Sequence, residues 1–224
     1  MELVSPRAEA RSKLLELYKK QMEILGRKPN DEEFFPVDPE NLAKNLLPDW
    51  KIIENPDLLH RDVSNPILGK ADFNQKIIYL DANAQPHRRR YTVAHELGHV
   101  FLKHGGCQLR RDVGPRSVLR PEQLEPPDAA EVKREKDANA FAAELLMPER
   151  TMLREFKKRF GVDRLFIRSS QAELILNNIY NRAEDAAAQL ATSHYPSNSR
   201  SLADFFGVSP AAMRVRLLEL SLVY

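Results

Sequence analysis

Arg90-Tyr-Thr-Val-Ala-His95-Glu96-Leu97-Gly98-His99 is the stretch on which the reading of this chain turns. Val93, Ala94, Leu97, Val100 and Phe101 recur near helical period, which predicts a helix over 90–104 that stops by Gly105-Gly106. Residues four apart share a helical face, so the imidazoles of His95 and His99 project together, about one turn apart. Two such rings offer a metal ion a pair of nitrogen ligands, and Glu96 stands beside them where a general base is needed. The pattern is short enough to arise by chance in roughly one chain in 75 of this length and composition, so a third ligand has to be found.

A third histidine at the spacing used by metzincins would fall at 105, with glycine at 102, but those positions are Gly105 and Leu102. That class is excluded and the ligand comes from elsewhere. A strong helical pattern runs from about 128 to 147 and stops before Pro148. On it Glu135 is followed at helical spacing by Ala138, Ala142 and Leu145, small and apolar side chains that allow another helix to come close. Glu135 is the best-placed carboxylate, although the same spacing also suits a solvated face. Asn139, one turn on, is placed to accept a hydrogen bond from a ligand histidine.

Around these two helices the chain reads as α+β. Helices are predicted at 6–25 and 39–47, then a strand at 50–54 and a hairpin of strands 68–73 and 76–80 about Asn74-Gln75. Residues 105–128 are rich in proline and glycine and read as a long connection. Helices follow at 149–160 and 169–190, and a final pair at 201–206 and 210–220 is joined by Gly207-Val208-Ser209 in the manner of a helix-turn-helix. The expected architecture is a small twisted sheet beside a mainly helical body. The expected division is 1–37 as an N-terminal helix and linker, 38–192 as the metal-bearing domain and 193–224 as the C-terminal pair.

Composition bounds the function. The chain has 224 residues, 42% hydrophobic and 29% charged, enough to bury a core and too apolar for general disorder. With 34 Lys and Arg against 32 Asp and Glu the net charge is +2, which gives no overall attraction to nucleic acid or membrane. A single cysteine, Cys107, and an opening segment with no apolar signal-like run point to a reducing, cytoplasmic setting. No apolar run approaches the roughly 20 residues needed to span a bilayer.

The stretch Tyr91-Thr-Val-Ala-His95-Glu96-Leu97-Gly98-His99, followed by Glu135-Lys-Asp-Ala-Asn139-Ala-Phe141-Ala-Ala-Glu-Leu-Leu-Met147-Pro148, resembles the ImmA/IrrE family of zinc metallopeptidases. The likeness extends over about residues 40–220 and takes in Ile77–Leu80 and the closing 202–217 segment. It implies His95, His99 and Glu135 as metal ligands and Glu96 as catalytic base. It also implies a substrate, since members of that family typically cleave a helix-turn-helix repressor encoded beside them and so relieve repression. Imidazole and carboxylate ligands suit Zn2+, and they also accept Mn2+ or Fe2+.

Other residues carry weaker expectations. Tyr79 and Tyr91 are candidates to donate to a tetrahedral oxyanion, with core packing the simpler account of each. Cys107, eight residues past His99, is within reach of the same metal as an oxidisable fourth ligand, against a bland reading as a small half-buried side chain. His104 has a sharp reading, orienting the metal-bearing helix or binding substrate, and a simpler one as a helix-end residue complementing the dipole, which keeps it out of the ligand set; Arg88, Arg89 and Arg90 read as a solvated run rather than a grip on acidic substrate. Strand 76–80 is a candidate edge for an extended peptide. In the C-terminal pair, Arg214 and Arg216 are offset by many packing residues, which favours a structural or docking role over direct DNA binding. The rival to an enzyme is a regulatory or toxin-like binding partner of a helix-turn-helix protein, holding a structural metal. No feature sets an oligomeric state.

Overall fold

Several helices begin on a proline behind a polar residue and end on a left-handed one. α1 (Pro6–Leu25) starts at Pro6 after Ser5, stops where Gly26 takes φ 65°, and buries Ala10, Leu14 and Leu17. After the single turn of α2 (Asp31–Phe34), α3 (Pro39–Leu46) is capped by Asp38, whose Oδ1 accepts from the backbone N–H groups of Glu40 and Asn41 at 2.9 and 3.3 Å. The computed structural model of the chain describes residues 5–55, 67–104, 108–111, 129–197 and 199–224.

Among the described residues four strands, β1 (Lys51–Asn55), β2 (Ile67–Asp72), β3 (Ile77–Asp81) and β4 (Gln108–Arg111), form one mixed sheet in the order β1-β3-β2-β4. The expected hairpin is present: Ala71 pairs with Ile78, and Asp72 Oδ1 accepts from the N–H groups of Asn74 and Gln75 at 3.0 Å each to close the turn. β1 lies parallel on the other side of β3, with Ile52 opposite Ile78. The expectation that β3 is an edge strand is therefore corrected. Both of its ladders are occupied, so it has no open side for an added peptide. Ile78 and Leu80 are buried, with Tyr79 half-buried between them, and α4 (Pro86–Phe101) packs across β2 and β3.

The remaining described elements are helices: α5 (Ala129–Leu146), α6 (Glu149–Phe160), α7 (Ser170–Leu176), α8 (Ala183–Thr192), α9 (Leu202–Phe206) and α10 (Pro210–Glu219). The single helix expected over 169–190 is two. Asn177 takes φ 49°, a left-handed conformation that asparagine tolerates, and the Gln189 side chain donates to the freed carbonyl of Leu176 at 2.8 Å.

By packing, the chain forms two compact units, Met1–Pro29 with Asp38–Leu145, and Asn30–Val37 with Leu146–Tyr224. This cuts differently from the division read from sequence. Residues 30–37, expected as linker, bury Phe34, Phe35 and Val37, and Phe35 stacks on Phe205 at 5.7 Å within the second unit. In that unit α9 and α10 form the expected pair, with Gly207 left-handed at φ 61° and Ser209 capping α10 by accepting from Ala212 N–H. Within the first unit Arg11 of α1 meets the buried carboxylate of Glu144 at 2.8 Å, so α1 belongs to that unit's packing. No described helix is long and apolar enough to cross a membrane.

Candidate metal centre

α4 departs from the one-sided stripe of a surface helix. Every residue from Thr92 to His99 is buried, and His95, Glu96 and His99 are each only 1% exposed. A helix buried all round has to seat polar side chains in shaped places, and two glycines make the room. On β2, a Cβ at Gly69 would stand 2.4 Å from Thr92 Cγ2 and 3.2 Å from Glu96 Oε1. The bare strand thus lets α4 lie against the sheet, with the Glu96 carboxylate beside it. On α4 itself, a Cβ at Gly98 would stand 3.1 Å from both Cα and the carbonyl oxygen of Ala138 on α5. Gly98 and Ala138 let the two helices cross at close range, and Phe101 stacks on Phe141 at 5.8 Å beside that crossing.

The crossing brings Glu135 to the two histidines. His95 Nε2 and His99 Nε2 lie 3.0 Å apart, with Glu135 Oε2 3.1 Å from the first and Oε1 3.2 Å from the second. These are the only three His, Cys, Asp or Glu residues among the described ones that converge as a metal-binding group. The spacing fits an ion at their centre, because ligand bonds of about 2.0–2.1 Å place neighbouring ligands about 3.3 Å apart on a tetrahedron. A carboxylate ordinarily titrates at about pH 4, so at neutral pH Glu135 offers this cluster an anionic oxygen, the form in which it could ligate an ion.

Asn139 stands one turn beyond Glu135 on α5. Its Oδ1 lies 3.0 Å from His95 Nδ1 and can only accept, so the ring proton is on Nδ1 and the Nε2 lone pair faces Glu135 and His99. Tyr91, one turn before His95, donates its hydroxyl to the same Oδ1 at 3.2 Å. Of the two oxyanion candidates, Tyr91 thus shares the Asn139 oxygen with His95. Tyr79 donates to Gln75 at 3.0 Å at the hairpin.

The remaining expectations fall out in different ways. Arg89 is no free grip: it holds Glu40 of α3 at 2.8 Å and Glu54 of β1 at 2.6 Å, and the hydrogen bond to Glu40 leads in raising its pKa against the opposing effect of burial. Arg216 is 1% exposed and donates Nε and Nη2 to the carbonyl of Met147 at 3.1 and 3.0 Å, whereas Arg214 is exposed. The DNA-reading alternative keeps one of its two arginines. Cys107 lies outside the described residues, as does the connection 105–128 apart from β4. Sequence reasoning passed over the packing roles of Gly69 and Gly98, and it left His104 out of the ligand set as a helix-end residue. The ring of His104 lies with Nδ1 2.9 Å from His99 Nδ1, and burial, reinforced by His99, pushes its pKa down to about 4.

A sequence profile of peptidase M78, described as the IrrE N-terminal-like domain, matches residues 53–218. The chain belongs to the peptidase M78 family. Among curated relatives, the radiation response metalloprotease IrrE of Deinococcus radiodurans is 34% identical to this M78 chain over 93 residues, 42% of this chain and 25% of that protein. The chain thus spans about a quarter of that relative's length. A solved structure titled as a Mycobacterium tuberculosis transcriptional regulator is matched over 83% of this chain and 49% of its own, at TM-score 0.38 and 17% identity. Peptidase M78 is a metallopeptidase family, and the His95-His99-Glu135 cluster lies within the matched segment.

Proposed function

We propose that this chain is a zinc-dependent endopeptidase that hydrolyses one peptide bond in a helix-turn-helix transcriptional repressor and so relieves repression. The observation that carries the reading is the meeting of His95, His99 and Glu135 at 3.0, 3.1 and 3.2 Å, with buried Glu96 on the helix that bears both histidines. His95, His99 and Glu135 would hold the ion, and Asn139 would keep His95 in the tautomer that presents Nε2. When bound, zinc supplies Lewis acidity, polarising the scissile carbonyl and lowering the pKa of water to about 7. Glu96 takes a proton from the attacking water on a carboxylate oxygen and delivers it to the departing amide nitrogen. Burial favours this cycle, since the carboxylate acts where water does not compete for the proton.

The repressor as substrate rests on the family resemblance, and the cytoplasmic setting on the single cysteine. As a functional division, residues 38–192 would carry the peptidase and 193–224 a structural or docking pair. Purified protein should contain one metal per chain by elemental analysis, with Glu135→Ala losing most of it. Incubated with the helix-turn-helix protein encoded beside its gene, wild type should release two defined fragments. Metal without cleavage would favour the non-catalytic binding partner, and no metal in any preparation would remove the enzymatic reading.

A further inference from the structure

His104 owes its place to the way α4 ends. Its backbone N–H donates to the carbonyl of His99 at 3.0 Å, and that of Lys103 donates to Val100 at 3.2 Å. With Leu102 as the capping residue, these are the two bonds of a Schellman ending, in which the residue two past the cap folds back over the last helical turn. Such an ending needs a left-handed residue just past the cap, and Lys103 takes that conformation at φ 55° although it is not glycine. The pair brought together by this ending is commonly apolar. Here it is His104 on His99, with ring centroids 5.0 Å apart and the two Nδ1 atoms 2.9 Å apart.

Two ring nitrogens at that distance make an N–H···N hydrogen bond, in which one carries the proton and the other the lone pair. The Nε2 of His99 faces Glu135 and His95. A ring that offers a lone pair there carries its proton on Nδ1, so His99 donates and His104 accepts. We propose that His104 is a positioning residue of the metal centre: by accepting the Nδ1 proton of His99 it fixes that ring's tautomer and orientation. The inference rests on His95, His99 and Glu135 being the metal ligands. It gives the two imidazoles matching support from different sources, Asn139 of α5 for His95 and the terminal turn of α4 itself for His99. Outer partners of this kind are worth about 10–100-fold in metal affinity.

Zinc affinity of the full chain, measured by competition with a chromogenic chelator, tests this on wild type, Glu135→Ala, His104→Ala and His104→Gln. Wild type should bind one equivalent. His104→Ala, with unchanged helical circular dichroism, should bind about 10–100-fold more weakly. His104→Gln, whose side-chain oxygen can take the same proton, should recover most of that loss. Equal affinity of His104→Ala and wild type overturns the proposal while leaving the metal site standing. Wild type that binds no more tightly than Glu135→Ala removes the metal site, and the proposal with it. A second measurement needs no substitution. In zinc-loaded wild type, nitrogen NMR should show a coupling across an Nδ1–H···Nδ1 hydrogen bond from His99 to His104. Absence of that coupling, or a proton on His104 Nδ1 instead, overturns the assignment, even if the alanine variant fails to fold.

Discussion

α4 and α10 both bury charged or polar side chains, and they do so to opposite ends. In α10 the guanidinium of Arg216 is directed at a backbone carbonyl, that of Met147, and at Glu219 2.9 Å away. In α4 the ring nitrogens of His95 and His99 are directed at each other and at a carboxylate from a second helix. Donors aimed at a carbonyl satisfy it and hold the fold. Acceptors aimed at one another gain nothing from their proximity until a cation stands between them. Burial of a polar residue therefore marks function only when the groups around it are of the same kind, and this distinguishes two helices that hydropathy alone describes in similar terms.

The largest expected effect breaks the chemistry while sparing the site. Glu96→Gln should lower the rate of repressor cleavage by about 10²–10⁴-fold, because the amide cannot take up a proton, with metal content at the wild-type level. A matched fall in metal content would assign Glu96 to binding instead. On the α10 side, Arg216→Met should leave the Met147 carbonyl buried without these donors and cost about 1–3 kcal/mol in urea unfolding. Folded protein of that variant should still bind one metal per chain.

Gly98→Ala sharpens the comparison, since it acts on the crossing and not on any ligand. Alanine gains about 1 kcal/mol of helix propensity, but its Cβ would press on Ala138 backbone, and such overpacking costs about 1–3 kcal/mol. The net change in stability should be small. Metal affinity should fall clearly, because α5 has to shift and carries Glu135 with it; unchanged affinity would show that the close approach is unnecessary. The smallest effect is expected for Lys103→Gly, which relieves a left-handed lysine and should raise unfolding stability by about 1 kcal/mol. It should leave zinc affinity unaltered, because the Schellman ending is preserved.

Local periodicity carried most of what could be read in advance. His95 and His99 share a face because they are four apart, and Glu135 stood out as a carboxylate among alanines on a helix, so the three ligand candidates were legible from spacing. Strand β3 was legible as a strand but not as an interior one, because its parallel partner β1 is chosen by the tertiary fold and leaves no mark in the alternation of Ile77 to Leu80. β4 could not be read from Gln108-Leu-Arg-Arg111, which has no period-two pattern and sits among prolines and glycines. Gly69 and Gly98 matter through what lies across from them, Thr92 and Ala138, and sequence does not say which residue will face a missing side chain. Arg216 was weighed as a groove-facing residue because an arginine on a helix usually reaches water. Its clamp on Met147 depends on a turn of chain 69 residues away. His104 did leave a signal, a histidine five places after a ligand at a helix end, but it needs a left-handed Lys103 to become meaningful.

The candidate ligand atoms belong to two helices, α4 and α5, that are well separated along the chain. An ion gripping both would cross-link α4 to α5, and its occupancy would enter the folding equilibrium directly. At a free concentration 100 times its dissociation constant it would add about 2.7 kcal/mol, comparable to the loss from a damaging core substitution. Cellular metal supply would then govern how long the chain survives as well as, on the proposed function, how fast it cuts.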